Sequence, residues 1–121
     1  MKNPRQIDVG LIIQNGYHIS EDGNIISYKG RKPRILKAGA ATDGYMMVNL
    51  RINGKSIAFL VHRLVAECYI PPIEGKRLVN HIDGNKRNNA RNNLEWCDHK
   101  ENMVHAQSLG IGGFLNLPPY T

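Results

Sequence analysis

Cysteine is scarce in this chain: Cys68 and Cys97 are the only two in 121 residues. That excludes a disulfide framework and a paired-cysteine zinc ribbon, so each reads as a small buried apolar residue. No apolar run approaches the ~18 residues that a membrane helix needs. The basic start, residues 1–16, has an apolar part too short and interrupted for a signal peptide, which leaves a cytoplasmic location as the expectation. Acidic residues are outnumbered, 10 against 16 Lys and Arg, for a net charge of +6. A pI near 9.6 turns attention to a polyanionic partner.

What is there is unevenly spread. Lys29, Arg31, Lys32, Arg34 and Lys37 crowd one short segment, while Lys76, Arg77, Lys86, Arg87 and Arg91 flank another. Two basic clusters around an acid-poor stretch favour nucleic acid over a merely solvated face. The length suits one domain that buries only ~65% of its unfolded surface.

Residues 1–16 read as an arm without definite structure. Tyr17–Ser20 and Ile25–Tyr28, joined by Glu21-Asp22-Gly23-Asn24, form a tight hairpin signal. Arg34–Lys37 is a short strand candidate. A second hairpin runs 45–52 and 55–60 around Asn53-Gly54, the strongest local hairpin signal there is. His62–Tyr69 spaces Leu64, Val65, Cys68 and Tyr69 on one helical face, and Pro71-Pro72 stops it. The expected division is 1–16 arm, 17–70 DNA-contacting antiparallel sheet plus helix, 71–107 compact finger and 108–121 tail. The fold class is α+β, with N-terminal antiparallel hairpins packed on a helix and a C-terminal ββα unit.

Residues 76–103, KRLVNHIDGNKRNNARNNLEWCDHKENM, carry the chemistry. His81 follows a short apolar run, Asp83-Gly84 makes a turn, and Leu94–Cys97 returns as a second strand. Asp98-His99-Lys100-Glu101 then opens a helix bearing Asn102. Asparagine at such density suits neither helix nor strand, because its side chain competes for backbone hydrogen bonds. It suits a loop pinned by its own amides, with neutral oxygen donors around one basic imidazole.

The four blocks Val61–Ala66, Val79–Asn85, Asn92–Trp96 and Lys100–Asn102 together resemble, in order and spacing, the phage homing and nicking branch of the HNH endonucleases. The resemblance covers about 17–107. It implies a ββα-metal finger and divalent-metal-dependent hydrolysis of phosphodiester bonds in double-stranded DNA. It also implies host cytoplasm if the chain is phage-encoded. By that likeness His81 is the general base and Asn93 fixes the loop that orients it. Asn80 and Asn102 would hold the cation, expected to be Mg²⁺, with Mn²⁺ or another divalent ion able to substitute. Many relatives carry aspartate where this chain has Asn80, so two neutral carboxamides would make a weak cage that substrate phosphate completes.

Beside these, Arg31, Lys32, Arg34, Arg63, Lys86, Arg87 and Arg91 are the expected DNA contacts, with Arg63 and Arg91 equally well read as solvated. Asp83 reads as a turn former before a ligand, His62 as a cap or phosphate contact before a catalyst. His99 and His105 share a helical face with Asn102 and read as surface histidines before spare ligands. His18 carries no signal, and Trp96 reads as a core anchor. The competing function is a nucleic-acid-binding module that keeps the finger as scaffold without cleavage; a structural protein with incidental basic charge is the bland third. Either a homodimer or a targeting partner protein is compatible with the chain.

Overall fold

The computed structural model describes residues 7–108. Its elements are α1 (Val9–Gln14), β1 (Tyr17–Ile19), β2 (Ile25–Ser27), β3 (Arg34–Ile35), β4 (Gly39–Ala40), β5 (Met46–Ile52), β6 (Lys55–Leu60), α2 (Val61–Tyr69), β7 (Leu78–His81), β8 (Leu94–Cys97) and α3 (His99–Ser108). A 3₁₀ turn, Arg91–Asn93, leads into β8. Three antiparallel sheets result, ordered β1-β2-β3, β4-β5-β6 and β7-β8.

α2 is the hub. Val61 to Ala66 are all buried, and the helix packs on α1, β1, β5, β6, β7 and β8. β5 buries Val48, Leu50 and Ile52 while Asn49 and Arg51 face water, the alternation of a half-buried strand. Leu50 and Leu64 are fully enclosed, and each such side chain stabilises the fold by roughly 2–3 kcal/mol through apolar burial. Ile12, Ile19, Ile25, Val79, Leu94 and Trp96 complete the same cluster. The stretches expected as arm, sheet and finger therefore share one core.

The expected hairpins are present. Asn53 (φ 51°) and Gly54 (φ 82°) both occupy the left-handed region between paired Ile52 and Lys55, the geometry that a two-residue type I′ turn requires. α2 ends at Tyr69, and Ile70 is extended ahead of the two prolines.

The arm is the main departure. Part of it, Val9–Gln14, is helical, capped by Asp8, whose carboxylate accepts from the Leu11 N–H at 3.1 Å. Ile12 anchors it in the core. Asn15 fastens its end to the second hairpin by accepting from the Asn53 N–H at 2.9 Å. Six residues form too little periodicity to stand out in a sequence, and tertiary contacts stabilise so short a helix. The expected tail from 108 lies, apart from Ser108, outside the described residues.

Candidate active site

Paired register settles which way the finger's side chains point. Asn80 opposes Glu95 and His81 opposes Leu94. Neighbours on a strand face opposite ways, so β7 turns Val79 and His81 toward the core side and Leu78 and Asn80 toward α3. α3 opens with a reciprocal cap: the Asp98 N–H donates to Glu101 Oε1 at 3.1 Å, and the Glu101 N–H donates to Asp98 Oδ1 at 2.8 Å. It packs on β7 with Asn102 and Ala106 as its buried residues. One turn beyond Asn102, His105 Nε2 contacts the His81 and Ile82 carbonyl oxygens at 3.2 and 2.9 Å. The helix is thus tied to the end of the histidine strand.

The loop between β7 and β8 is clasped by amides, as its composition suggests. Asn93 accepts from the Asp83 N–H at 3.0 Å and donates to Asp83 Oδ1 and the Asn88 carbonyl, each at 2.9 Å. Asn88 donates to Asp83 Oδ2 at 3.0 Å, and the Asn85 N–H to Asp83 Oδ1 at 2.7 Å. Asn88, with Asn85 and Asn93, holds the Asp83 carboxyl below its ordinary range. Those bonds make Asp83 a loop-forming residue, the turn role read from its sequence.

His81 lies in a stack of rings. Its centroid is 4.9 Å from that of His62 and 5.9 Å from that of Tyr45, while Tyr45 and His62 stack at 4.9 Å. His81 Nε2 lies 2.7 Å from Asn89 Oδ1. Burial lowers the His81 pKa, partly opposed by the Asn89 hydrogen bond. Lys86 closes the edge of the stack, its Nζ 4.5 Å from the Tyr45 ring centroid and bonded to the Asp43 carbonyl at 2.7 Å. Burial, then the nearby Asp43 charge, pushes the Tyr45 hydroxyl up to about 12.

Asn80 and Asn102 are buried, 8% and 6% exposed. Among the described residues neither carboxamide makes a hydrogen bond. Neither is among the fully enclosed side-chain atoms left without a partner, so both carboxamides meet solvent; as neutral oxygen donors, on β7 and on the helix packed against it, they fit a hard cation that keeps much of its water. No group of three or more His, Cys, Asp or Glu able to hold a metal exists among the described residues. The donors that Asn80 and Asn102 could offer a cation are both neutral.

Two expectations need correction. Arg63 is buried; its guanidinium donates to the Arg77 carbonyl, pairs with Glu67 at 3.5 Å and lies 5.3 Å from the Trp96 ring centroid. It is held inside the fold and is not a phosphate contact. His62 is 1% exposed, with both ring nitrogens enclosed and unpartnered among the described residues. It neither caps α2 nor reaches a phosphate, because the second position of a helix wedged between sheets points inward. Arg31, Lys32, Arg34 and Arg87 are exposed, Lys86 is half-buried, and exposed Arg91 pairs with Glu21 at 2.6 Å. Trp96 is the core anchor expected, donating to the Ile70 carbonyl at 3.0 Å. Tyr45 and Asn89 were not singled out by the sequence. Asn89 had no signal beyond being one of many asparagines.

Residues 59–104 match the family model for HNH endonuclease. The chain belongs to the HNH endonuclease family. It is 46% identical over 94 residues to the SPbeta prophage-derived putative HNH homing endonuclease YosQ of Bacillus subtilis, covering 77% of this chain and 53% of YosQ. It is 39% identical to the DNA endonuclease I-HmuI of Bacillus phage SP01, covering 78% and 53%. It is 43% identical to the uncharacterized HNH endonuclease L245 of Acanthamoeba polyphaga mimivirus, covering 75% and 27%. The solved structure of I-HmuI, which concerns DNA binding and cleavage by that HNH homing endonuclease, superposes with a TM-score of 0.69 at 40% identity, over 78% of this chain and 53% of the other. The HNH chain thus spans about half the length of two of these relatives and about a quarter of the third.

Proposed function

We propose that this HNH protein is a divalent-metal-dependent DNA endonuclease in which His81 activates water for phosphodiester hydrolysis. One observation carries the reading: the His81 imidazole, at the strand end where the clasped loop begins, follows directly on a carboxamide without a hydrogen bond, and a second such carboxamide lies on the helix packed against that strand. Consecutive Cα atoms are about 3.8 Å apart, so a phosphate at the end of β7 is within reach of groups on both faces of the strand. His81 takes a proton from water, hydroxide attacks phosphorus, and the bond to the leaving 3′ oxygen breaks. Mg²⁺, or Mn²⁺ in its place, held by the Asn80 and Asn102 oxygens, would offset charge on the phosphate and the leaving group. Asn93, through Asp83, keeps the loop behind His81 in one shape. Exposed Arg31, Lys32, Arg34 and Arg87, with Lys86 and Arg91, would grip the duplex backbone.

The neutral donor set favours a second reading, a DNA-binding module that does not cut. Supercoiled plasmid incubated with Mg²⁺, Mn²⁺ or Ni²⁺ separates the two. Cleavage by wild type, lost in His81→Ala with DNA binding retained, supports the nuclease. Salt-sensitive binding without a cut under any of the three ions supports the module. Open-circle product alone indicates nicking, and linear product indicates paired cutting.

A further inference from the structure

We infer that Asn89 is the positioning residue that sets the tautomer and orientation of His81, and that the turn between β1 and β2 is its backstop. The inference deepens the nuclease reading and rests on it for its catalytic meaning. A neutral imidazole carries one N–H and one lone pair. Asn89 Oδ1 lies 2.7 Å from Nε2 in a buried contact, and a carboxamide oxygen can only accept. Nε2 therefore holds the proton, and the lone pair is left on Nδ1. Among the described residues Nδ1 has no partner, and only the His62 nitrogens are both unpartnered and fully enclosed. Nδ1 thus keeps a path to solvent and is the atom able to accept a proton from water.

Asn89 stands in the loop, away from any strand or helix, so something must hold it. The β1–β2 turn does so in three ways. Gly23 has φ +90°, and a Cβ placed there would fall 2.7 Å from the Asn89 carbonyl oxygen and 3.0 Å from its Cβ. Only glycine allows so close an approach in that backbone conformation. Two residues on, the Arg91 N–H donates to the Glu21 carbonyl at 2.8 Å, and the Arg91 guanidinium pairs with the Glu21 carboxylate at 2.6 Å. Segment 89–91 is sewn to segment 21–23, which links the N-terminal sheet to the ring nitrogen that must not be free.

The test reads the tautomer directly in the full chain. Ring-¹⁵N-labelled histidine, followed by long-range ¹H–¹⁵N correlation above the imidazole pKa, should show wild-type His81 protonated at Nε2. Asn89→Asp preserves an acceptor and should keep that form and most of the cleavage rate. Asn89→Ala should give mixed tautomers, and cleavage of supercoiled plasmid should fall on the order of 10²-fold with unchanged metal-free DNA affinity. Gly23→Ala should shift both readouts the same way. A wild-type ring protonated at Nδ1 overturns the proposal even if the alanine variant fails to fold. So does an Asn89→Ala protein with the wild-type tautomer, whatever its rate. Wild type that cuts no DNA yet shows the Nε2–H form removes the nuclease reading and leaves this one standing.

Discussion

Asp83 and Asn93 are joined twice: the backbone N–H of Asp83 donates to the Asn93 carboxamide oxygen at 3.0 Å, and the Asn93 amide donates back to the Asp83 carboxylate at 2.9 Å. With the Asn88 carbonyl also satisfied by Asn93, one buried side chain closes the loop that starts at His81. Asn93→Ala strands a backbone donor and a carbonyl, at roughly 1–3 kcal/mol of stability. Cleavage should fall together with the melting temperature. Asn93→Asp should be worse than its size implies, because it sets a second carboxylate against Asp83. Thermal melts above and below the carboxylate pKa check this, the Asn93→Asp deficit shrinking at acid pH.

His62 is enclosed and neutral. Burial first, then the neighbouring His81 and Arg63, pulls its pKa down to about 2, against ~6.5 for a histidine in the unfolded chain. The unfolded state then binds the proton between those values and the folded state does not. Stability is full above pH ~6.5 and falls as the pH drops below it, at about 1 kcal/mol per pH unit from this residue. His62→Phe keeps a ring between Tyr45 and His81 while removing the titration. Chemical denaturation at pH 7 and pH 5 should show a smaller loss for the phenylalanine variant than for wild type.

Burial also places His81 below the ordinary imidazole pKa. A general base must be unprotonated to act, so a lowered pKa extends its competence toward acid. The acid limb of the single-turnover cleavage rate should fall below pH ~6.5. A limb above that value would mean that the ring is not shielded as the structure describes.

Asn80 and Asn102 make a test of metal affinity that is separate from turnover. Asn80→Asp adds a charge to a neutral donor pair and should tighten Mn²⁺ binding by about tenfold or more, read by calorimetry or Mn²⁺ relaxation without DNA. Asn102→Ala should weaken it. Equal affinities in all three proteins would place the cation elsewhere.

The basic residues divide into two classes that salt dependence can separate. Replacing exposed Arg31, Lys32 and Arg34 with alanine should reduce the slope of log K against log salt by about 3, with the melting temperature little changed. Arg63→Ala should instead leave the slope alone and cost roughly 3 kcal/mol of stability, since it breaks the bond to the Arg77 carbonyl and leaves Glu67 without its partner.

Much of this protein is local, and local chemistry is legible in a sequence. Asn53-Gly54 dictates its turn because both residues tolerate left-handed backbone, and Pro71-Pro72 ends α2 because no helix continues into a proline pair. The Asp83 to Asn93 clasp follows from side chains short enough to bond their own loop, and the strand that carries Asn80 and His81 and the helix that carries Asn102 begin where local signals put them. Tertiary structure alone decided the rest. Arg63 and His62 read as surface residues until α2 is packed between three sheets. The arm, residues 1–16, reads as shapeless until Ile12 finds the core and Val9–Gln14 is helical. Asn89 is one amide among many until a glycine turn far back in the chain presses it against His81. Turns and caps are chosen by neighbours in sequence, whereas burial and long-range hydrogen bonds depend on which surfaces meet.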